Sequence, residues 1–347
     1  MNLYHHRESF PLESGDVFNE LTIAYHTYGT MNADGSNVIW ICHALTANSD
    51  PVDWWHGVVG ADKVIDPKKY FIVCANILGS CYGTTGPLSV DEVTQTPYYN
   101  RFPLVTIRDM VNAHIVLRKH LNISRIALLM GGSMGGYQAL EWSVTEPSVI
   151  EKLFILATSA TESAWGMAIH TAQRLAIEAD GTWGMPDNTA GAKGLKAARA
   201  IGMLTYRNYT IMVKKQTDVD NEKVDDFKVS AYINHQGDKL VARFNAYSYH
   251  TLTRSLDSHN LSRGRKKTVE QILEGIHQQT LIIGISSDIL CPIIEQKFLA
   301  KHIPNSEFIE IDSSYGHDGF LVESAIISKH LSEWLGNEYI LGYGASI

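Results

Sequence analysis

Ile126-Ala127-Leu128-Leu129-Met130-Gly131-Gly132-Ser133-Met134-Gly135-Gly136-Tyr137-Gln138-Ala139-Leu140-Glu141-Trp142-Ser143 is the stretch on which the fold turns. An apolar run ends at Met130, the glycine-flanked serine follows at once, and a helical pattern occupies Tyr137 to Ser143. G-x-S-x-G between a strand and a helix marks a strained turn that lifts a serine hydroxyl outward, its small neighbours leaving room for the tight backbone. The same turn aims the unpaired N–H groups of a helix N-terminus at any anion that develops there.

Outward from this turn, short β-branched runs alternate with helical patterns, the mark of a parallel-sheet α/β architecture. Residues 37–42, 70–75, 125–130, 153–158, 280–285 and 307–311 read as buried strands, and 20–28 as an earlier, antiparallel one. Residues 161–279 have helical periodicity and a different texture, and read as an insertion into a core formed by 1–160 and 280–347. Within it, Gly194 to Ile201 joins good helix formers to apolar spacing. Asp180 to Ala192 is punctuated by Gly and Pro and reads as loop. The tail after Gly336, with its Gly-Tyr-Gly, is expected to fray.

Composition narrows the function classes. Of the 347 residues, 45% are hydrophobic and 19% charged, a globular balance with apolar material for a large core. The net charge of −8, with Lys and Arg scattered, offers no basic stripe for a phosphate backbone, so nucleic acid is not an expected partner. Met1 to Glu8 carries no apolar leader, and no later run approaches the roughly 20 apolar residues of a membrane helix. A soluble, cytoplasmic protein is the expectation. Cys42, Cys74, Cys81 and Cys291 form no CxxC pair and read as reduced thiols. Metal ligation is not expected, since there is no HExxH and His5-His6 cannot share a regular face.

A serine hydroxyl needs a base, because it is almost never ionised at neutral pH. Of the histidines, His317 lies in the Gly-flanked loop Tyr315-Gly316-His317-Asp318-Gly319, just after the last strand, whereas His114 and His120 sit in a helical pattern before the nucleophile strand. The orienting carboxylate should leave a core strand between Ser133 and His317 in chain order. Asp288, in the turn after Leu281 to Ile285, fits; Asp312 also ends a strand but lies close to the histidine. An oxyanion hole needs two N–H donors, expected from Met134 and from Leu45 in the turn Cys42-His43-Ala44-Leu45-Thr46. His43 reads as a brace of that turn rather than a second base. Gly79 to Pro87 is Gly-rich but lacks the Lys-Ser/Thr ending of a phosphate loop, and reads as a shaped loop near the pocket or a plain structural one.

Taken together, several motifs resemble the homoserine O-acyltransferase family of α/β-hydrolase-fold enzymes. They are Cys42 to Thr46, Trp54-Trp55, Asn76 to Pro87, Phe102 to Met110, the serine turn with Gln138, Leu204-Thr205-Tyr206-Arg207, Ser287-Asp288 and Gly316-His317-Asp318. The resemblance implies a mostly parallel central sheet flanked by helices, an inserted mainly helical lid, and a homodimer. It implies acyl transfer from a coenzyme A thioester, acetyl-CoA foremost, to the hydroxyl of L-homoserine in methionine biosynthesis, with acetyl-CoA as donor substrate and no bound cofactor. By the same resemblance Arg207 would hold the amino-acid carboxylate and Asp318 its ammonium. Asn208 to Lys215 and the loop near Trp183 to Gly191 depart from the family pattern. A succinyl donor, a serine acceptor, and a plain esterase with the same triad are the alternatives.

Overall fold

A computed structural model describes residues 1–336. The expected fraying tail beyond Gly336 lies outside these described residues. Eight strands form the central sheet: β1 (Asn2–His6), β2 (Leu21–Tyr28), β3 (Val38–Cys42), β4 (Phe71–Ala75), β5 (Leu128–Gly132), β6 (Lys152–Leu156), β7 (Gln279–Ile285) and β8 (Ser306–Ile311). Their spatial order is β1-β2-β4-β3-β5-β6-β7-β8. The pairs β1·β2 and β2·β4 are antiparallel; every later pair is parallel.

β3 is buried along its whole length because both faces of the sheet are covered, which is why its sequence is continuously apolar rather than alternating. Val38, Trp40 and Cys42 point into one core layer, and Ile39 and Ile41 into the other. The first layer is closed by α1 (Ile107–His120) and α2 (Met134–Thr145), through side chains such as Met110, Leu117, Leu140 and Trp142. Thr106 starts α1 with a reciprocal capping box to Asp109. The second layer is closed by Trp55, Val58 and Val59 and by α8 (Ser324–Leu335), through Ile327 and Leu331.

Between β6 and β7 the chain forms five longer helices: α3 (Ala164–Glu178), α4 (Ala192–Tyr206), α5 (Tyr209–Gln216), α6 (Lys228–Val241) and α7 (Ala246–Asp257). Asp180 holds the loop before α4, accepting from the N–H groups of Thr182 and Gly194 at 2.9 Å each. β1 is a strand that the sequence reading did not contain.

Candidate active site

β5 runs directly into the serine turn, and Ser133 takes φ 54° and ψ −126°. A non-glycine residue held there costs on the order of 1–3 kcal/mol and persists only where its surroundings dictate it. Here the Ser133 N–H donates to the Leu156 carbonyl at 3.0 Å, and the Thr158 hydroxyl donates to the Ser133 carbonyl at 3.0 Å. The flanking glycines are fixed by space. A Cβ on Gly135 would stand 2.1 Å from the Cys42 carbonyl oxygen, and one on Gly131 2.3 Å from that of Gly135. Start of α2 and end of β3 thus touch backbone to backbone.

The structure brings the three predicted catalytic side chains together. The Ser133 hydroxyl donates to His317 Nε2 at 2.8 Å, and His317 Nδ1 donates to Asp288 Oδ2 at 2.7 Å. The second carboxylate oxygen of Asp288 accepts from the N–H groups of Leu290 (2.8 Å) and Cys291 (2.9 Å), which locks the orientation of the acid. Asp288 and His317 are buried, while Ser133 keeps partial exposure toward the cavity. Burial presses the imidazolium down; the charge and hydrogen bond of Asp288, with Asp318 and Glu162, outweigh it, and the pKa of His317 ends above its ordinary value. Asp312, the rival acid, is exposed and takes the Ser286 hydroxyl at 3.1 Å instead. Gly316, at φ +66°, lets the histidine loop pass close to the end of α4: a Cβ there would lie 3.0 Å from the Tyr206 carbonyl oxygen.

Leu45 lines the cavity beside Ser133, and Met134 is the first residue of α2. Among the described residues neither N–H is taken up by a protein acceptor. His43 is fully buried, its Nδ1–H donating to the Ala44 carbonyl at 2.8 Å and its Nε2 accepting the Ile77 N–H at 3.0 Å. Ala44 C=O and Leu45 N–H belong to one peptide unit, so His43 sets the direction in which Leu45 N–H points. Burial lowers its pKa to about 4, so it is neutral at physiological pH, which suits a brace and not a second base. Gln138 adds a second brace, donating to the carbonyls of His43 and Met134 at 3.1 Å each and accepting from His114 Nε2 at 2.9 Å.

A cavity of about 430 Å³ opens above Ser133. Its wall includes Leu45, Trp54, Tyr137, Glu162, Arg199 and Asp318. The two predicted substrate residues part company here. Asp318 faces the cavity, whereas Arg207 lies outside the lining, its Nε 3.0 Å from Asp318 Oδ2 in an ion pair without hydrogen-bond alignment. The α4 arginine that faces the cavity is Arg199, which sequence reading missed. Its guanidinium carbon lies 5.1 Å from the centre of the Tyr206 ring, and among the described residues its buried Nε has no hydrogen-bond partner. Arg199 and Tyr206, seven residues apart, share a helix face; Arg207 caps the helix and turns away. Burial raises the Asp318 pKa, opposed by Arg207, Arg199 and His317. Glu162, also missed, accepts the Tyr137 hydroxyl at 3.1 Å, and its pKa too is raised by burial. The Gly79 to Pro87 loop stays outside the lining but touches it indirectly: the Tyr82 hydroxyl accepts from Arg243, a lining residue, at 2.6 Å.

This arrangement can take an acyl group onto a serine and pass it to an acceptor bearing both charges of an amino acid. Known proteins resemble the chain over most of its length. The α/β-hydrolase fold family model matches residues 37–324. The homoserine O-acetyltransferase of Cyclobacterium marinum is 46% identical over 321 residues, covering 92% of this chain and 91% of that protein. The crystal structure of homoserine O-acetyltransferase from Bacillus anthracis superposes with a TM-score of 0.89 at 24% identity, covering 97% of both chains. An acetylester hydrolase from Corynebacterium glutamicum shares the fold as well, with a TM-score of 0.85 at 22% identity over 97% of this chain and 96% of that one. Fold alone therefore does not separate transferase from hydrolase, but near-full-length identity of this order does assign a family: the chain belongs to the homoserine O-acetyltransferase family of α/β-hydrolase-fold proteins.

Proposed function

We propose that the chain transfers an acetyl group from acetyl-CoA to the side-chain hydroxyl of L-homoserine through an acetyl-Ser133 intermediate. The observation that carries this reading is the presence of Ser133, His317, Arg199 and Asp318 on one cavity wall. Ser133 gives its proton to His317 and attacks the thioester carbonyl, while the N–H groups of Leu45 and Met134 receive the oxyanion. His317 then protonates the departing thiolate. Homoserine next enters, its carboxylate on the Arg199 fork and its ammonium on Asp318, with Arg207 holding Asp318 from behind. His317 takes the proton of the homoserine hydroxyl, which attacks the acetyl-serine. Residues 161–279 act as the lid: Glu162, His170, Arg199, Tyr206, Lys239 and Arg243 wall the cavity from that segment. A water-poor cavity and a bound hydroxyl of high effective concentration favour transfer over hydrolysis. The proposal extends to a role in methionine biosynthesis, in the cytoplasm, with the chain acting as a homodimer; the family resemblance supports this reading.

The second reading, an esterase, draws on the shared fold of the Corynebacterium hydrolase. Thiol release from acetyl-CoA, followed with and without L-homoserine, separates them. Transfer predicts steady turnover only with homoserine and a product of the mass of O-acetylhomoserine; acceptor-independent release would establish the esterase. The same assay with mixed acetyl-CoA and succinyl-CoA, or with L-serine, tests donor and acceptor choice.

A further inference from the structure

Among the described residues, the turn that carries Leu45 is held by core groups on one side and by one residue of the segment between β6 and β7 on the other. Arg243, in the connection between α6 and α7, donates from Nη1 to the Thr46 carbonyl at 2.5 Å and to the Tyr82 hydroxyl at 2.6 Å, with Nη2 3.4 Å from the Thr46 hydroxyl. Tyr82 is in turn fixed, its carbonyl accepting from Asn76 at 2.7 Å, and Asn76 also accepts the Ser49 N–H at 2.8 Å. Leu45 therefore lies between two clamps: His43 on the carbonyl of its own peptide unit, and Arg243 on the residue that follows. Arg243 forms no ion pair with a carboxylate among the described residues; all the acceptors named here are neutral. Its guanidinium, solvent-exposed, lines the same cavity as Leu45.

We propose that Arg243 is a positioning residue for the oxyanion hole, which couples the lid to acylation: the hole is completed only when the lid places this guanidinium on Thr46. The proposal rests on the acyl-serine reading above. A hydrogen bond from a charged donor is worth about 1.5–3 kcal/mol, on the order of 10- to 100-fold in rate where it is needed for the transition state. Loss of a residue acting in this way slows acylation by any donor. One that gripped the phosphates of coenzyme A would matter only for that donor.

The test compares Arg243→Met and Tyr82→Phe with wild type, using p-nitrophenyl acetate and acetyl-CoA as donors, with melting temperature as the folding check. Wild-type acetylation of Ser133, followed by mass spectrometry, tests the underlying reading separately. The expected result for Arg243→Met is an acylation rate constant lowered about 10- to 100-fold with both donors, KM for p-nitrophenyl acetate little changed, and partial rescue by methylguanidinium. For Tyr82→Phe, which removes one neutral acceptor and keeps the fold, a loss of about 3- to 10-fold with both donors is expected. A loss confined to acetyl-CoA and expressed in KM would overturn the proposal, as would wild-type acylation in Arg243→Met. If Arg243→Met does not fold, Tyr82→Phe decides alone, and unchanged acylation in it overturns the proposal.

Discussion

Replacing Asp288 by asparagine leaves the shape of the site intact and inverts its proton logic. Oδ1 of Asp288 faces two N–H donors, Leu290 and Cys291, and Oδ2 faces His317 Nδ1. An asparagine must keep its carbonyl oxygen on the two donors, so its NH2 turns to His317 Nδ1. That nitrogen then has to accept, and the ring proton moves to Nε2, where it confronts the Ser133 hydroxyl as a second donor. A base in the wrong tautomer costs about 10,000-fold in the serine-histidine-aspartate triads where it has been worked out, or about 5 kcal/mol of barrier. The pH dependence shifts as well. In the wild type the acylation rate rises with pH as His317 loses its proton, through a pKa above the ordinary 6.5 because Asp288 outweighs burial. Without that charge only Asp318 and Glu162 still oppose burial, so the limb of the residual activity moves to lower pH. Stopped-flow release of p-nitrophenol from the acetyl ester between pH 5 and 9 reads both effects. An Asp288→Asn rate within a few-fold of wild type, or a limb displaced to higher pH, would refute this account of the triad.

Other expectations follow from single contacts. Arg199→Ala should raise the KM for homoserine by about 10- to 100-fold, the value of a charge-assisted hydrogen bond, with the acetylation half-reaction unchanged; initial rates against homoserine and pre-steady-state acylation check the split. Gly135→Ala, whose Cβ would stand 2.1 Å from the Cys42 carbonyl oxygen, must push α2 off β3 and should cost about 1–3 kcal/mol, visible in urea unfolding. Burial holds the pKa of His43 and His114 at about 4 and that of His259 at about 3, against 6.5 in the unfolded chain. The unfolded state then binds more protons between those values, so stability should fall as pH drops from about 6.5 toward 4, and the urea midpoint followed over that window should be less pH-dependent in His259→Gln.

What the sequence reveals and what it hides have physical reasons. Strands such as Val38–Cys42 are covered on both faces, so their sequences are unbroken apolar runs that stand out. Asn2–His6 is an edge strand with mostly exposed side chains, and its polar sequence carries no such signal. The serine turn is legible because steric demands between α2 and β3 force glycine at fixed positions. His43 is legible as a brace because of where it falls in its turn, though only the structure shows that it holds the Leu45 peptide. Arg199 lies within α4 and Arg207 just past its end in extended conformation, and which of them faces the cavity depends on how α4 packs and on where the chain leaves it. The i, i+7 pairing of Arg199 with Tyr206 was the available clue. Glu162 had no such signal, since a lone carboxylate at the start of a helix is more often an ordinary N-terminal charge.

The central claim is that Ser133 carries the acetyl group between two substrates. Mixing the protein with acetyl-CoA alone, quenching in acid and sequencing the peptides by mass spectrometry measures this directly. The account predicts one acetyl group on Ser133, absent from Ser133→Ala and discharged within a turnover when L-homoserine is added. Full transfer by Ser133→Ala, or an acetyl group on another residue with Ser133 unmodified, would contradict it.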